Sequence, residues 1–86
     1  MGEYGVRFAT SAANEFRSLP THVKDRLATA IEELKNNPRP VGTRKLKGRR
    51  GLFRIRSGLY RLVYEVDDKK REIRVIRVHH RREVYR

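Results

Sequence analysis

The stretch that decides the fold runs from Leu52 to His79: Leu52-Phe53-Arg54-Ile55-Arg56, then Ser57-Gly58-Leu59, then Tyr60-Arg61-Leu62-Val63-Tyr64-Glu65-Val66, then Asp67 to Arg71, then Glu72 to His79. The three longer runs read as strands, and in the first two the faces alternate, the period of a half-buried strand. The two connections are short enough to force antiparallel hairpins. A three-stranded meander is therefore expected, with Phe53 and Ile55 on one face of its first strand and Leu52, Arg54 and Arg56 on the other. In the second strand Tyr60, Leu62, Tyr64 and Val66 share a face, which leaves Arg61, Val63 and Glu65 opposite.

Upstream of the meander, Gly42 to Gly51 is polar and strongly basic, with Leu46 as its one apolar anchor, and reads as a surface loop. Before it, Val23, Leu27, Ala30, Ile31 and Leu34 recur on one helical face until Asn36, Asn37, Pro38 and Pro40 break the pattern. Thr21 is the expected N-cap of that helix. A shorter helix carrying Ala12, Ala13, Phe16 and Leu19 precedes it, capped by Thr10 or Ser11 and ended by Pro20. Tyr4, Val6 and Phe8 alternate with Gly5 and Arg7 as a first short strand. The order of an N-terminal strand, a helical hairpin and a three-stranded antiparallel meander predicts one α+β domain over residues 1–86, the helices packed on one face of a single sheet.

Charge is segregated along the chain. Through Asn36 five basic residues balance five acidic ones, so the whole formal charge of +12 belongs to the residues that follow. Arg39, Arg44, Lys45, Lys47, Arg49, Arg50, Arg54 and Arg56 succeed one another without an acid among them. Such a run repels itself unless phosphate or an acidic protein neutralises it. Arg44, Lys45, Lys47, Arg49, Arg50 and Arg82 are the candidate RNA-binding cations. Arg54 and Arg56 stand two residues apart on one strand, roughly 6.6 Å, comparable to the phosphate step of an extended RNA strand, and Arg61 is placed to join them as an exposed neighbour. The same three arginines also suit a plain solvated sheet face.

Other chemistries are excluded by what the chain lacks. There is no cysteine, hence no disulfide and no thiolate metal site, and the three histidines, His22, His79 and His80, have no carboxylates at ligand spacing. No phosphate-binding glycine loop is present, and neither a metal nor a small-molecule cofactor is expected. A nuclease built from these residues works by positioning and charge stabilisation, with the 2′-hydroxyl of RNA as nucleophile. No run approaches a bilayer span and Met1 to Ala9 does not read as a signal peptide, so a cytoplasmic location without membrane association is expected.

Taken together, Val6-Arg7-Phe8, Leu19-Pro20, Asn37-Pro38-Arg39-Pro40, Lys45-Leu46-Lys47-Gly48, Phe53-Arg54-Ile55-Arg56, Ser57-Gly58, Tyr60-Arg61-Leu62-Val63-Tyr64-Glu65 and His80-Arg81-Arg82-Glu83-Val84-Tyr85 resemble the RelE-type toxins of the RelE/ParE superfamily over nearly the whole chain. The resemblance implies the RelE-like microbial RNase fold. It also implies a messenger RNA endoribonuclease acting in the ribosomal A site and restrained by a cognate antitoxin. By motif it assigns Arg54, Arg56, Arg61, Arg81 and Tyr85 to the surroundings of the scissile phosphate. Well-known members carry lysines where this chain has Arg54 and Arg56, and an arginine is a poor general base. The segment before Tyr85 is also shorter, which leaves both Arg81 and Arg82 open as the later arginine. His80 is the candidate for proton transfer, because an imidazole titrates near neutrality, whereas alternation sends His79 to the opposite face. Two further readings stand beside this one: the ParE branch, which shares the fold and poisons DNA gyrase, and a passive RNA- or ribosome-binding protein.

Overall fold

Leu27, Ile31 and Leu34 recur at helical spacing and are the residues that the long helix buries against the sheet. The computed structural model describes residues 3–46 and 51–80. Its elements are β1 (Gly5–Phe8), α1 (Thr10–Arg17), α2 (Thr21–Asn36), β2 (Arg44–Lys45), β3 (Leu52–Ser57), β4 (Tyr60–Asp67) and β5 (Glu72–His80). The strands form one mixed sheet in the order β1-β5-β4-β3-β2. The meander pairs antiparallel as expected, while β1 lies parallel to β5, Val6 facing Ile73 and Phe8 facing Val75. Among the described residues no helix is long and apolar enough to cross a membrane.

Two apolar clusters fill the space between the helices and the sheet. Ala12, Leu27, Ile31, Leu62, Val75 and Val78 form one, and Leu34, Phe53, Tyr64 and Ile73 the other. β4 contributes to both through alternate residues, the geometry that a half-buried strand imposes. Gly58 opens the two-residue β3–β4 turn at φ 62°. A side chain there would be strained at positive φ and would meet the Arg26 guanidinium at 2.9 Å.

Three local expectations are corrected. The segment after Gly42 is not all loop, because Arg44 and Lys45 add a fifth strand opposite Arg54 and Phe53. Neither helix has a side-chain N-cap: Thr10 and Thr21 are already helical, and Ala9 and Pro20 hold the cap positions. Ala9 passes straight from the sheet into α1, its N–H donating to Val75 O at 2.9 Å while its carbonyl accepts from Ala13 N–H at 2.9 Å. The third correction is a bulge. Val63 faces Arg77 but Tyr64 faces Val75, so Ile76 is an extra residue that shifts the alternation of β5 by one. As a result Val75 and Val78, three residues apart, are both buried.

Leu62 is fully buried at the centre of β4. Leu62→Ala is expected to cost about 2–5 kcal/mol, a large part of the roughly 5–15 kcal/mol available to a domain. Urea unfolding should show a lower midpoint at an unchanged slope; an unaltered midpoint would place the core elsewhere.

Candidate functional site

At its β2–β4 end, the face of the sheet turned away from the helices carries two pairs of opposed arginines. Arg44 lies directly opposite Arg54, and Arg56 directly opposite Arg61. Cβ atoms of directly opposed residues are about 4.5–5.5 Å apart, and like charges so placed destabilise a sheet by roughly 0.2–1 kcal/mol. Farther along the same face Arg7 also lies opposite Arg74 and Asp67 opposite Glu72, but acids and bases are mixed there, with Arg74 3.9 Å from Glu65 and Arg7 3.6 Å from Glu72. What stability alone does not favour at the β2–β4 end is the opposition of arginine to arginine twice over. Gly42, Arg44, Arg54, Ile55, Arg56 and Arg61 line a cleft of about 280 Å3 there, with no carboxylate among its described lining residues.

Arg61 does not project into solvent beside its neighbours. It is 2% exposed, the one charged side chain buried among the described residues, whereas Arg56 is exposed and Arg54 half-buried. The cleft is therefore graded, with an internal guanidinium at its floor and more accessible ones at its mouth. Burial of a cation beside other cations is costly, and an entering anion offsets that cost. A guanidinium offers five donors in a planar fork, suited to two phosphate oxygens at once.

The register also reverses the two neighbouring histidines. Because of the Ile76 bulge, His79 faces Arg61 across β4–β5 on the arginine side, while His80 faces Tyr60 on the helix side. The His80 ring packs edge-on against Tyr60 with centroids 5.2 Å apart and helps line a separate cavity of about 410 Å3 with His22 and Leu27. His80 is thus directed away from the arginine cleft. The sign of this in the chain is the doublet Val75-Ile76 before Arg77-Val78, which strict alternation does not accommodate. Lys45 likewise leaves the cleft: it pairs with Phe53 and borders a groove shared with Arg39 and Glu65. Lys47, Arg49, Arg50, Arg81, Arg82 and Tyr85 lie outside the described residues.

The segment that brings Gly42 and Arg44 to the cleft is tied down at its outer side by Asp68. This carboxylate accepts from the Tyr4 hydroxyl at 2.6 Å and from the Arg39 guanidinium at 2.7 Å. The Tyr4 hydrogen bond, then Arg39, hold the Asp68 carboxyl below its ordinary range, and Asp68 in turn raises the Tyr4 hydroxyl. A depressed carboxyl stabilises the fold above its unfolded pKa of about 3.9, and that contribution is lost as pH falls through the lower folded value. Arg39 also sits over the Phe53 ring, 5.1 Å from its centroid.

Two outcomes are expected of this site. Inorganic phosphate should raise the melting temperature at constant ionic strength, since a hundredfold excess over Kd adds about 2.7 kcal/mol by mass action. Arg56→Ala should shrink that rise, and equal stabilisation of wild type and Arg56→Ala would detach phosphate from the cleft. Asp68→Asn should remove part of the stability lost below about pH 4, read by acid unfolding, and identical acid profiles would contradict the linkage.

Comparison with known proteins agrees with this architecture. A family described as the ParE toxin of the type II toxin-antitoxin system parDE matches residues 6–85. The toxin RelG of Mycobacterium tuberculosis is 36% identical over 87 residues, covering 96% of this chain and 97% of the relative. The mRNA interferase toxin RelE of Escherichia coli is 37% identical over 86 residues, covering 95% of this chain and 90% of the relative. In the crystal structure of the intact E. coli RelBE toxin-antitoxin complex, a chain 35% identical superposes with TM-score 0.79, covering 90% of this chain and 95% of that one. With the fold, the length and the motifs in agreement, the chain belongs to the RelE/ParE superfamily as a RelE-type toxin of a type II toxin-antitoxin system.

Proposed function

We propose that this toxin is a ribosome-dependent endoribonuclease that cuts messenger RNA in the A site without a metal, and that an antitoxin restrains it by covering the arginine face. The observation that carries the reading is the stacking of Arg44–Arg54 and Arg56–Arg61 as like-charged cross-strand pairs around one cleft. Relatives named mRNA interferases support the reaction class, and the toxin-antitoxin complexes among similar structures support the partner. Action on ribosomes places the protein in the cytoplasm.

In the reaction the 2′-oxygen attacks the adjacent phosphorus and loses its proton to a base. The bond from phosphorus to the 5′-oxygen then breaks, and that oxygen is protonated. The products are a 2′,3′-cyclic phosphate and a 5′-hydroxyl. Guanidinium groups are matched to the five-coordinate phosphorus, whose extra negative charge is where preorganised donors act most strongly. Arg54 and Arg56 hold the phosphate at the mouth and Arg61 meets it at the floor. Their high pKa makes them poor bases, and His79 is the imidazole on that face. Arg81 or Arg82, together with Tyr85, completes the set by motif. Arg44 grips the flanking backbone, aided outside the cleft by Lys45, Lys47, Arg49 and Arg50. RNA supplies its own nucleophile, so neither metal nor cofactor is required, and the ribosome contributes by holding the message in place.

The test is induced expression followed by primer extension on a translated message. Wild type should yield cuts that depend on translation, and Arg56→Ala, an exposed change with little effect on folding, should lose on the order of a hundredfold in cleavage. Arg61→Ala should also lose cleavage, with its melting temperature recorded alongside because the residue is buried. Growth arrest with intact messages would favour the gyrase-directed ParE branch, and ribosome binding without cuts the passive reading. In vitro, log affinity for single-stranded RNA should fall with log salt by about 0.7 per phosphate neutralised.

A further inference from the structure

Tyr64 holds a position that the reaction proposed above does not use. It sits on β4 three residues after Arg61, its ring is buried in the core against Phe53 with centroids 6.0 Å apart, and it presents its hydroxyl to the segment between α2 and β2. That hydroxyl donates to Pro38 O at 2.7 Å, a buried hydrogen bond, and lies 3.5 Å from Thr43 Oγ1. One phenol oxygen therefore touches both ends of the stretch from Pro38 to Thr43. Between those ends the chain makes a tight bend, closed by Thr43 N–H donating to Pro40 O at 3.0 Å and permitted by Gly42 at φ 97°. Val41 stands fully exposed at the tip, without packing that could fix the bend from outside. Immediately after Thr43 comes Arg44, in register with Arg54, and Gly42 itself lines the arginine cleft.

We infer that Tyr64 is a positioning residue for the arginine cleft: its hydroxyl fixes the bend from Pro38 to Thr43 and so sets Arg44 and Gly42 against Arg54, Arg56 and Arg61. The inference rests on the reading of that cleft as a phosphate site. A second tie, the Arg39–Asp68 ion pair, acts on the same segment, but it lies at the surface and is screened by solvent. The Tyr64 bond is buried, where an abandoned carbonyl has no water to replace its donor. β2 is only two residues long, so its pairing with β3 contributes few hydrogen bonds of its own to hold Arg44 in register. Burial also raises the Tyr64 hydroxyl above its ordinary pKa, consistent with a group that stays protonated and donating.

A double-mutant cycle on the full chain separates positioning from mere support of the fold. Inorganic phosphate is titrated into wild type, Tyr64→Phe, Arg44→Ala and the double variant, with binding followed on the arginine side-chain resonances and melting temperature recorded for each. Tyr64→Phe keeps the buried ring and should weaken phosphate binding by roughly five- to tenfold, the range expected of coupled neighbours. In the Arg44→Ala background the same change should alter binding by less than about twofold. Equal weakening in both backgrounds, or none in either, overturns the inference. Should Tyr64→Phe fail to fold, Thr43→Val removes the other hydroxyl at the same junction: weaker phosphate binding than wild type supports the inference, and wild-type binding overturns it. Arg54→Ala distinguishes the two levels. If it leaves phosphate binding unchanged, the cleft reading falls together with this inference; if it weakens binding while Tyr64→Phe does not, this inference alone falls.

Discussion

The register of β4 with its two neighbours is the constraint on which the rest of the molecule depends. On the helix side that register brings Leu62 and Tyr64 into the core, and on the other side it sets Arg61 opposite both Arg56 and His79. A slip by one residue would exchange the two faces, exposing the apolar set and burying the charged one. Fold and site are therefore specified together. The apolar residues supply the free energy that holds guanidinium groups near one another against their repulsion, and the tight Gly58-Leu59 turn pins the pairing of β3 with β4 at its end.

Much of this was legible because period-two alternation runs through Phe53-Arg54-Ile55-Arg56 and Tyr60-Arg61-Leu62, and because the stripe of Leu27, Ile31 and Leu34 is long enough to define a helix and its buried face. The motifs Phe53-Arg54-Ile55-Arg56 and Tyr60-Arg61-Leu62-Val63-Tyr64-Glu65 also gave the family and the arginine face. What stayed hidden was non-local. The pairing of Arg44-Lys45 with β3 depends on a connection whose composition reads as loop, and its two-residue strand is too short to show a period. Parallel pairing of β1 with β5 joins the two ends of the described chain, and the local pattern of neither strand specifies it.

The histidines and Arg61 show how far alternation alone can be trusted. One inserted residue, Ile76, is enough to exchange His79 and His80 between the faces, because a bulge changes phase for every residue beyond it. Direction was read correctly for Arg61, yet its depth was not. A strand pattern says which side of the sheet a residue takes, whereas burial depends on what covers that side. In this molecule the segment carrying Gly42 and Arg44 borders the same cleft, and its path is set by contacts at Tyr64 and Asp68 far away in sequence.

These features tie activity to stability. A chain of 86 residues buries a smaller fraction of its surface than larger domains do, and here part of the resulting stability is offset by four guanidiniums sharing one cleft. On the proposed reading, phosphate of an RNA backbone and carboxylates of a protein partner compete for the same donors. A partner that neutralises the face would both occlude the site and stabilise the fold, since any ligand of the native state alone shifts the unfolding equilibrium in its favour. Long-range attraction between the basic half and such a partner speeds association and makes it salt-sensitive. On the proposed reading, the repulsion that favours a phosphate in the cleft also favours an acidic partner there, so a substitution that weakens one should weaken the other.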